Sequence, residues 1–318
     1  MGSETTPTIP IIDFTNINLE GNTNSPNWES VKSQVHKALV EYGFFEAIFN
    51  KVPLDLRKAT FPAVEELFDL PLQTKQLNIV SSKSPLHSYV GQHPFMPLYE
   101  SMAFHGENVS ERVESMTNIF WPNGNSSFSK TMNSFSEQLY ELDQIVRKML
   151  FEKLGVEKYF DEHNQSTNYV LRVTKYKGLE TSDSNVGLGS HRDKNFVTIL
   201  YQNQVEGLEM QTKDGKWISY NPFQDNFIVL IGESLRALLN GRLHLPLHKV
   251  VVNSNEVRYS IGLFSLPREG CIVKAPEELV DEEHPLLFKP YDYAKFAEYF
   301  YSKEGIVDPF PLHTHCGI

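Results

Sequence analysis

The stretch Ser190-His191-Arg192-Asp193 is the most informative part of the sequence, and His248 follows its aspartate by 55 residues (248 − 193). His191 and Asp193 are two residues apart, so on an extended strand their side chains project from the same face. Two imidazoles and one carboxylate form the facial ligand set that holds non-haem Fe(II) and leaves coordination positions open, although three ligands of these types also bind zinc. The stretch therefore predicts a metal site built on β-strands.

A second polar group, Arg258-Tyr259-Ser260, begins ten residues after His248 (258 − 248). Arg258 and Ser260 again share one face of a strand. A guanidinium beside a hydroxyl is a suitable seat for a carboxylate, held by charge-assisted and bidentate hydrogen bonds. Such a pair alone is more often part of a salt bridge, but its place after the two histidines and the aspartate favours carboxylate binding.

The second half of the chain is predicted to be rich in β-strand, because short runs of Val, Ile, Leu, Tyr and Phe alternate there with polar turns. The predicted strands span 169–176, 195–202, 207–212, 216–219, 226–231, 247–252 and 257–264. Asp214-Gly215 between two of them is typical of a hairpin. Many short strands at close spacing favour a sandwich or a barrel. A last helix, 292–301, is expected before a tail that contains Pro and His.

The first half is predicted to be mainly helical. Apolar residues recur at helical spacing in 28–42, 54–69 and 130–154, with short strands at 9–15 and 44–49. Residues 80–130 show no clear periodicity, and a loop of that length is usually functional. We therefore expect a mainly helical region over 1–160 and a β-rich core over 161–318.

Composition and charge restrict the class of protein. The chain has 318 residues, 40% of them hydrophobic and 22% charged, which is ordinary for a globular protein. With 29 Lys and Arg against 40 Asp and Glu, the net charge of −11 disfavours nucleic acid or an anionic membrane as the main partner. Two cysteines, Cys271 and Cys316, exclude a disulfide framework and favour a cytoplasmic location. No uninterrupted apolar run is long enough to span a membrane.

The ordered set His191-x-Asp193, His248 and Arg258-x-Ser260 resembles the plant 2-oxoglutarate- and Fe(II)-dependent dioxygenases. Further segments along nearly the whole chain support the resemblance: Ile9-Pro10-Ile11-Ile12-Asp13-Phe14, Tyr42-Gly43-Phe44-Phe45, Phe68-Asp69-Leu70-Pro71 with Lys75, and Leu171-Arg172-Val173-Thr174-Lys175-Tyr176. Three others are similar to the glucosinolate side-chain branch of specialised-metabolism enzymes: Tyr89-Val90-Gly91-Gln92, Pro97-Leu98-Tyr99-Glu100-Ser101 and Phe120-Trp121-Pro122.

The resemblance implies a mainly β fold with flanking helices around a double-stranded β-helix, or jelly-roll, core. It also implies roles for individual residues. The iron ligands would be His191, Asp193 and His248, the 2-oxoglutarate contacts Arg258, Ser260 and Tyr176, and Phe264 a substrate-facing aromatic, with a core position on the last barrel strand as its alternative. Apart from the resemblance, we expect Tyr99 and Phe104 on the substrate side with Phe264, because an apolar pocket needs large, rigid side chains. Because the segment from about Tyr89 to Trp121 is long, irregular and rich in aromatics, we expect it to act as a lid that excludes water, with a static surface loop as the alternative.

The resemblance further implies Fe(II) as the metal, 2-oxoglutarate and O2 as co-substrates and ascorbate as a reductant. The expected reaction hydroxylates a small plant metabolite and releases succinate and CO2, with desaturation or dealkylation as alternatives. A catalytically silent, cupin-like metal-binding protein and a zinc hydrolase with the same three ligands are the competing classes. A monomer without a nucleic-acid or membrane partner is expected.

The sequence departs from the family pattern at three places. Arg192 stands where relatives commonly have Thr, Thr174 where many have Asn, and Asn50-Lys51-Val52 where Asn-His-Gly is usual. A side chain between two ligands on a strand points to the opposite face, so we expect Arg192 to leave the metal site intact.

Overall fold

The structure, a computed structural model, describes residues 8–19, 21, 25–78, 88–91, 94, 96–106, 108–179, 185–223 and 226–318. Helix accounts for 38% of the protein and strand for 25%, so the prediction of a mainly β protein is wrong, whereas the expected sheet core is present. The difference arises because long helices, among them one of 28 residues, pack around the sheets.

Thirteen strands are assigned among the described residues. They are β1 (Ile11–Asp13), β2 (Phe44–Ile48), β3 (Tyr99–Gly106), β4 (Thr167–Tyr176), β5 (Val186–His191), β6 (Val197–Gln202), β7 (Leu208–Gln211), β8 (Trp217–Ser219), β9 (Asn226–Ile231), β10 (His248–Val251), β11 (Arg258–Pro267), β12 (Ile272–Val273) and β13 (Tyr291–Asp292). The seven strands predicted in the second half are confirmed with small shifts at their ends, and β5, β12 and β13 are additions to them.

The described residues also contain nine α-helices. They are α1 (Pro26–Glu41), α2 (Leu54–Phe68), α3 (Leu72–Lys75), α4 (Val109–Phe120), α5 (Ser126–Lys153), α6 (Phe160–Gln165), α7 (Glu233–Leu238), α8 (Tyr293–Phe300) and α9 (Pro311–Cys316). The three long helices expected in the first half are confirmed as α1, α2 and α5. None of the helices in the described ranges is long and apolar enough to cross a membrane.

The strands form two main sheets. The larger has the order β1-β2-β9-β6-β11-β4-β3, and the smaller has the order β5-β10-β7-β8. An apolar cluster that includes Phe44 and Tyr176 of the larger sheet and Met210 and Val250 of the smaller one fills the space between them. The core is thus a sandwich of two sheets, consistent with the jelly-roll expectation.

Strands from the first half of the chain complete the larger sheet. β1 and β2 form one edge of it, and β3 forms the opposite edge beside β4. The regions 1–160 and 161–318 therefore share one sheet.

The outer face of the larger sheet is covered by helices, chiefly α5. Its apolar residues lie on one side and join the main core cluster, which also contains residues of α1, α2 and α4. A polar connection is buried in the same layer. Asp143 of α5 accepts hydrogen bonds from Ser265 Oγ of β11 at 2.7 Å and from Tyr169 Oη of β4 at 2.9 Å.

The segment 80–130 differs from its predicted irregular structure. Residues 80–87, 92, 93, 95 and 107 lie outside the described residues, and Gln92 of the branch motif is among them. The described remainder contains strand β3 and helix α4, which begins at the cap Asn108. The C-terminal tail also differs, because it ends in helix α9 with Cys316 buried.

Candidate active site

Two antiparallel strands of the smaller sheet bring the histidines together. His191 is the last residue of β5 and His248 the first of β10, and the strand register places them directly opposite each other. Their ring centroids are 4.2 Å apart. Asp193 lies two residues after the end of β5, and its carboxylate lies beside both imidazoles.

The three side chains form a group that could hold a metal ion. Asp193 Oδ1 lies 3.7 Å from His191 Nε2 and 3.8 Å from His248 Nε2, and the three donor atoms all lie within 4.8 Å of one another. The two distances from Asp193 to the imidazole nitrogens are too long for hydrogen bonds. They are shorter than the roughly 4 Å that two metal–ligand bonds can span. The donor set therefore fits a single divalent ion with N and O ligands.

Hydrogen bonds orient two of these three side chains, His191 and Asp193. His191 Nδ1 lies 2.8 Å from the carbonyl oxygen of Gly189, an arrangement in which Nδ1–H donates and Nε2 keeps a free lone pair. The surrounding protein and the adjacent His248 lower the pKa of His191 to about 4, so the ring is neutral near pH 7. Thr198 Oγ1 donates to Asp193 Oδ2 at 2.6 Å.

Asp193 is kept ionised by its neighbours. Burial alone would raise the pKa of the carboxyl group, but the imidazoles of His248 and His191 and the hydroxyl of Thr198 lower it below its usual value. A charged carboxylate beside the neutral imidazole of His191 is a protonation state that binds a cation.

Arg258 lies on the inner side of the larger sheet. It is 3% exposed, and its guanidinium lies 5.1 Å from the centre of the Tyr176 ring on the neighbouring strand. Nη2 donates to Gln202 Oε1 at 2.6 Å, but Nε and Nη1 have no hydrogen-bond partner among the described residues. Burial lowers the pKa of Arg258, yet an arginine stays protonated in proteins. Its two unpartnered nitrogens beside the buried Ser260 fit a carboxylate.

Comparison with known proteins identifies the family of this chain. Residues 162–267 match the 2OG-Fe(II) oxygenase superfamily, and residues 9–116 match the N-terminal region of the non-haem dioxygenases in morphine synthesis. AOP1.2 of Arabidopsis thaliana, a probable 2-oxoglutarate-dependent dioxygenase, is 47% identical over 96% of this chain and 95% of its own length. The chain belongs to the 2OG-Fe(II) oxygenase superfamily. The resemblance to the plant dioxygenases and to their glucosinolate side-chain branch is confirmed, and the protein is a 2-oxoglutarate-dependent oxidoreductase.

A further relative and a solved structure agree with the family match. A probable inactive 2-oxoglutarate-dependent dioxygenase, AOP2 of Arabidopsis thaliana, is 32% identical over 98% of this chain and 98% of its own length. Among solved structures, the rice dioxygenase for auxin oxidation has a TM-score of 0.77 and 26% identity, and the match covers 92% of this chain and 95% of that one. The oxygenase fold is therefore shared along almost the full length.

A cavity of about 330 Å³ opens beside the His191 and Asp193 side chains of this oxygenase. It is called the site cavity below. Its wall has apolar residues of both sheets and of the C-terminal helical segment, including Met96, Val170, Leu188, Leu266, Tyr293 and Phe300. Two of the predicted substrate-side aromatics, Tyr99 and Phe264, line this cavity.

Phe104, the third predicted aromatic, lies elsewhere. It is fully buried in the main core cluster on the helical side of the sheet, with its ring centre 6.2 Å from that of Phe128. Tyr99 and Phe104 belong to the same strand and are five positions apart (104 − 99), an odd number, so they point to opposite faces. The prediction that both line the substrate side is therefore corrected for Phe104.

The wall of the oxygenase cavity contains three cations. Arg172 and Lys194 were not assigned from the sequence, and Arg192 was expected on the face opposite the ligands. Two of the three cations contact aromatic rings of the C-terminal segment. The Arg192 guanidinium lies 5.5 Å from the Phe310 ring centre, and Lys194 Nζ lies 3.7 Å from that of Phe300. Arg172 is on the same strand as Tyr176 and four residues before it, a spacing that places both on one face and could have identified it.

Proposed function

We propose that this oxygenase hydroxylates a small plant specialised metabolite, using Fe(II), 2-oxoglutarate and O2 and releasing succinate and CO2. The observation that supports it most is the buried Arg258 guanidinium with two unpartnered nitrogens, because it supplies a carboxylate seat inside the same sandwich as a three-residue metal ligand set. A protein that only bound a metal would have no use for that seat.

Each residue has one task in this proposal. His191, Asp193 and His248 hold Fe(II), which when bound supplies the activation of O2 in reaction with 2-oxoglutarate. Arg258 and Ser260 bind the distal carboxylate of 2-oxoglutarate. Tyr176, whose ring lies beside the guanidinium, adds a hydrogen bond from its hydroxyl group to the same carboxylate.

The cavity wall supplies orientation and dryness. Tyr99 and Phe264 present large, rigid apolar surfaces that hold one C–H bond of the substrate near the metal. The C-terminal segment covers one side, since Phe300 and Tyr301 also belong to the wall. In the 89–121 segment, Met96 and Tyr99 reach the cavity, so a lid function is proposed only for the part near these two residues.

The proposal of a plant metabolite as substrate is supported by relatives of the AOP group, which are probable 2-oxoglutarate-dependent dioxygenases of a plant, Arabidopsis thaliana. Hydroxylation is the commonest outcome in the family. Desaturation and dealkylation use the same ligands and co-substrates, so the products distinguish them.

The test combines turnover with product masses. Protein reconstituted with Fe(II) and ascorbate is incubated with 2-oxoglutarate and a plant metabolite extract, and succinate and extract masses are measured. We expect substrate-dependent succinate and a mass gain of one oxygen. A loss of two hydrogens indicates desaturation, and loss of an alkyl group indicates dealkylation. Metal binding without 2-oxoglutarate consumption would support a silent binding protein, and hydrolysis supported by zinc would support the hydrolase.

A further inference from the structure

Arg172 occupies a position in the cavity wall that the proposed reaction does not explain. On β4, Val170, Arg172 and Tyr176 alternate onto the inner face, and Arg172 is registered opposite Ala103 on β3 and Gly262 on β11. The two residues opposite it have the smallest side chains. Arg172 itself belongs to the cavity wall.

Arg172 has no anionic partner in the described part of the chain. Its one hydrogen bond there runs from Nη1 to Ser101 Oγ, at 3.0 Å, and the serine is a neutral acceptor. Arg147, by contrast, is fully buried and donates to Asp143 Oδ2 at 2.9 Å, with a further bond to Tyr169 Oη at 2.6 Å. A partly buried guanidinium normally has such a carboxylate, because an unpaired charge away from water is unfavourable.

The other charges around the cavity do not supply that carboxylate. Among the residues that the structure describes, Asp193 is the only acidic one in the cavity wall, and its carboxylate belongs to the proposed metal ligand set. Arg192 and Lys194 face aromatic rings of the C-terminal segment. Arg172 is thus the one wall cation with neither a carboxylate nor an aromatic ring as a recorded partner among the described residues, and the cavity has an excess of positive charge.

Arg172 is also distinct from the 2-oxoglutarate seat. Arg258 is registered opposite Tyr176, four residues further along β4 than Arg172, which corresponds to roughly 13 Å along the strand. On β11, the residues nearest Arg172 lead toward Phe264 and Leu266, which line the site cavity. The guanidinium therefore belongs to the substrate side of the cavity.

We infer that the primary substrate of this oxygenase is a small organic acid, with an apolar body against Tyr99 and Phe264 and a carboxylate bound by Arg172. The planar guanidinium fork matches a carboxylate in a bidentate geometry, and this pairing would neutralise the uncompensated charge. The inference rests on the proposed oxygenase function, and it adds the substrate class and the residue that selects it.

The experiment separates a plant metabolite extract on an anion-exchange resin at pH 7 into retained and unretained fractions. Each fraction is incubated with the Fe(II)-loaded enzyme and 2-oxoglutarate, and new product masses are recorded. We expect products from the retained fraction, and we expect them to disappear when its carboxylic acids are converted to methyl esters. Products from the unretained fraction alone, or undiminished product after esterification, would overturn the inference while leaving the oxygenase function intact. Failure of both fractions to support any 2-oxoglutarate turnover would instead refute the proposed function.

Variants then assign the role to Arg172. Arg172→Gln should raise the substrate concentration for half-maximal product formation by roughly 30-fold or more, as for loss of a charge-assisted pair, and Arg172→Lys should lose less. Binding of 2-oxoglutarate should stay within about twofold of the wild type, which also shows that the variants fold. The matched control is Lys175→Gln, which removes the same charge from the opposite face of β4, where Lys175 lies 3.8 Å from Asp69. A large fall in 2-oxoglutarate affinity in Arg172→Gln would place the residue in the co-substrate seat and contradict the inference.

Discussion

His191 and Arg258 show how their surroundings make single side chains available to a ligand. The protein around His191 lowers the pKa of its imidazole to about 4, so at neutral pH the ring is uncharged and can bind a metal. Arg258 remains charged, and its geometry leaves Nε and Nη1 without partners among the described residues. A neutral imidazole suits a cation, and an unsatisfied guanidinium suits an anion.

The metal assignment predicts the effect of removing one imidazole. His191→Ala and His248→Ala should each abolish 2-oxoglutarate turnover and weaken Fe(II) binding by more than about 100-fold, because even groups behind a ligand typically contribute 10- to 100-fold. Metal content and binding under anaerobic conditions measure this directly. His313→Ala is the control, since His313 is exposed on α9 and should leave both properties unchanged. Wild-type iron affinity in either ligand variant would contradict the assignment.

The role of Arg258 predicts a selective defect. Arg258→Ala should raise the dissociation constant for 2-oxoglutarate by about 30- to 5000-fold, the range for truncating one partner of a buried charge pair. Iron binding should change little, because Arg258 belongs to the other sheet. Titration calorimetry on the anaerobic Fe(II) protein gives both affinities. Arg268→Ala, an exposed arginine just beyond the end of β11, is the matched control. An unchanged 2-oxoglutarate requirement in Arg258→Ala would mean that the carboxylate lies elsewhere.

At the scale of elements, the two faces of strand β3 carry aromatic residues with different surroundings. Tyr99 faces the site cavity, whereas Phe104 faces the helical layer. The alternation of the strand assigns one face to the substrate and the other to the core.

Alanine substitutions should distinguish the two faces. Tyr99→Ala and Phe264→Ala should raise the substrate KM or uncouple 2-oxoglutarate consumption from product formation, with iron and 2-oxoglutarate binding near normal. Phe104→Ala should instead lower the free energy of unfolding by about 3–5 kcal/mol, the usual cost of a cavity at a buried phenylalanine. Succinate-to-product ratios and denaturant melts test the two effects. Normal coupling and KM in both Tyr99→Ala and Phe264→Ala would assign these aromatics to the core.

The junction between α1 and β2 depends on a glycine. Gly43 has φ +78°, and a Cβ atom there would lie 2.2 Å from the carbonyl oxygen of His244, so both the backbone and the space require glycine. Gly43→Ala should be clearly more destabilising than Gly155→Ala, which has φ +69° and open space around it. The control variant has only the backbone strain, of order 1–3 kcal/mol. Equal losses in denaturant unfolding would show that the loop near His244 relaxes without cost.

At the scale of the whole molecule, helix α5 is joined to the larger sheet by polar contacts as well as apolar packing. Asp143 and Arg147 are both fully buried, and the carboxylate binds Ser265 and Tyr169 of two strands of that sheet. Ser265 follows Phe264 of the cavity wall directly. The connection therefore links the helical layer to the strand that forms part of the site.

Breaking this connection should destabilise the fold without changing the chemistry of the site. Asp143→Ala should lower the free energy of unfolding by about 3–5 kcal/mol, because it leaves the Arg147 guanidinium buried and unpaired. The double variant with Asp143→Leu and Arg147→Leu should lose less free energy of unfolding than the sum of the losses in the two single leucine variants. Denaturant unfolding measures these differences. Additive losses would show that the two side chains do not act as a pair.

The sequence by itself determined three long helices and seven strands of the second half. It also predicted the three metal ligands and the carboxylate seat that we propose. These features depend on residue types and on spacing along one strand or helix, which are local properties. It also identified the superfamily, because the motifs occur in a fixed order along the chain.

Only the tertiary structure decided which face each residue occupies and what lies opposite it. Phe104 was assigned to the substrate side because strand β3 was not predicted, so the alternation that separates Phe104 from Tyr99 was not applied. The spacing of Arg172 from Tyr176 was a local signal, but only the structure shows that Arg172 belongs to the cavity wall. The capping pattern at Asn108 was a local signal for α4 that the sequence analysis missed, whereas β3 owes its place to pairing with β4, about 70 residues away. Pairing between distant strands depends on the packing of the whole chain, and no local pattern of residues encodes it.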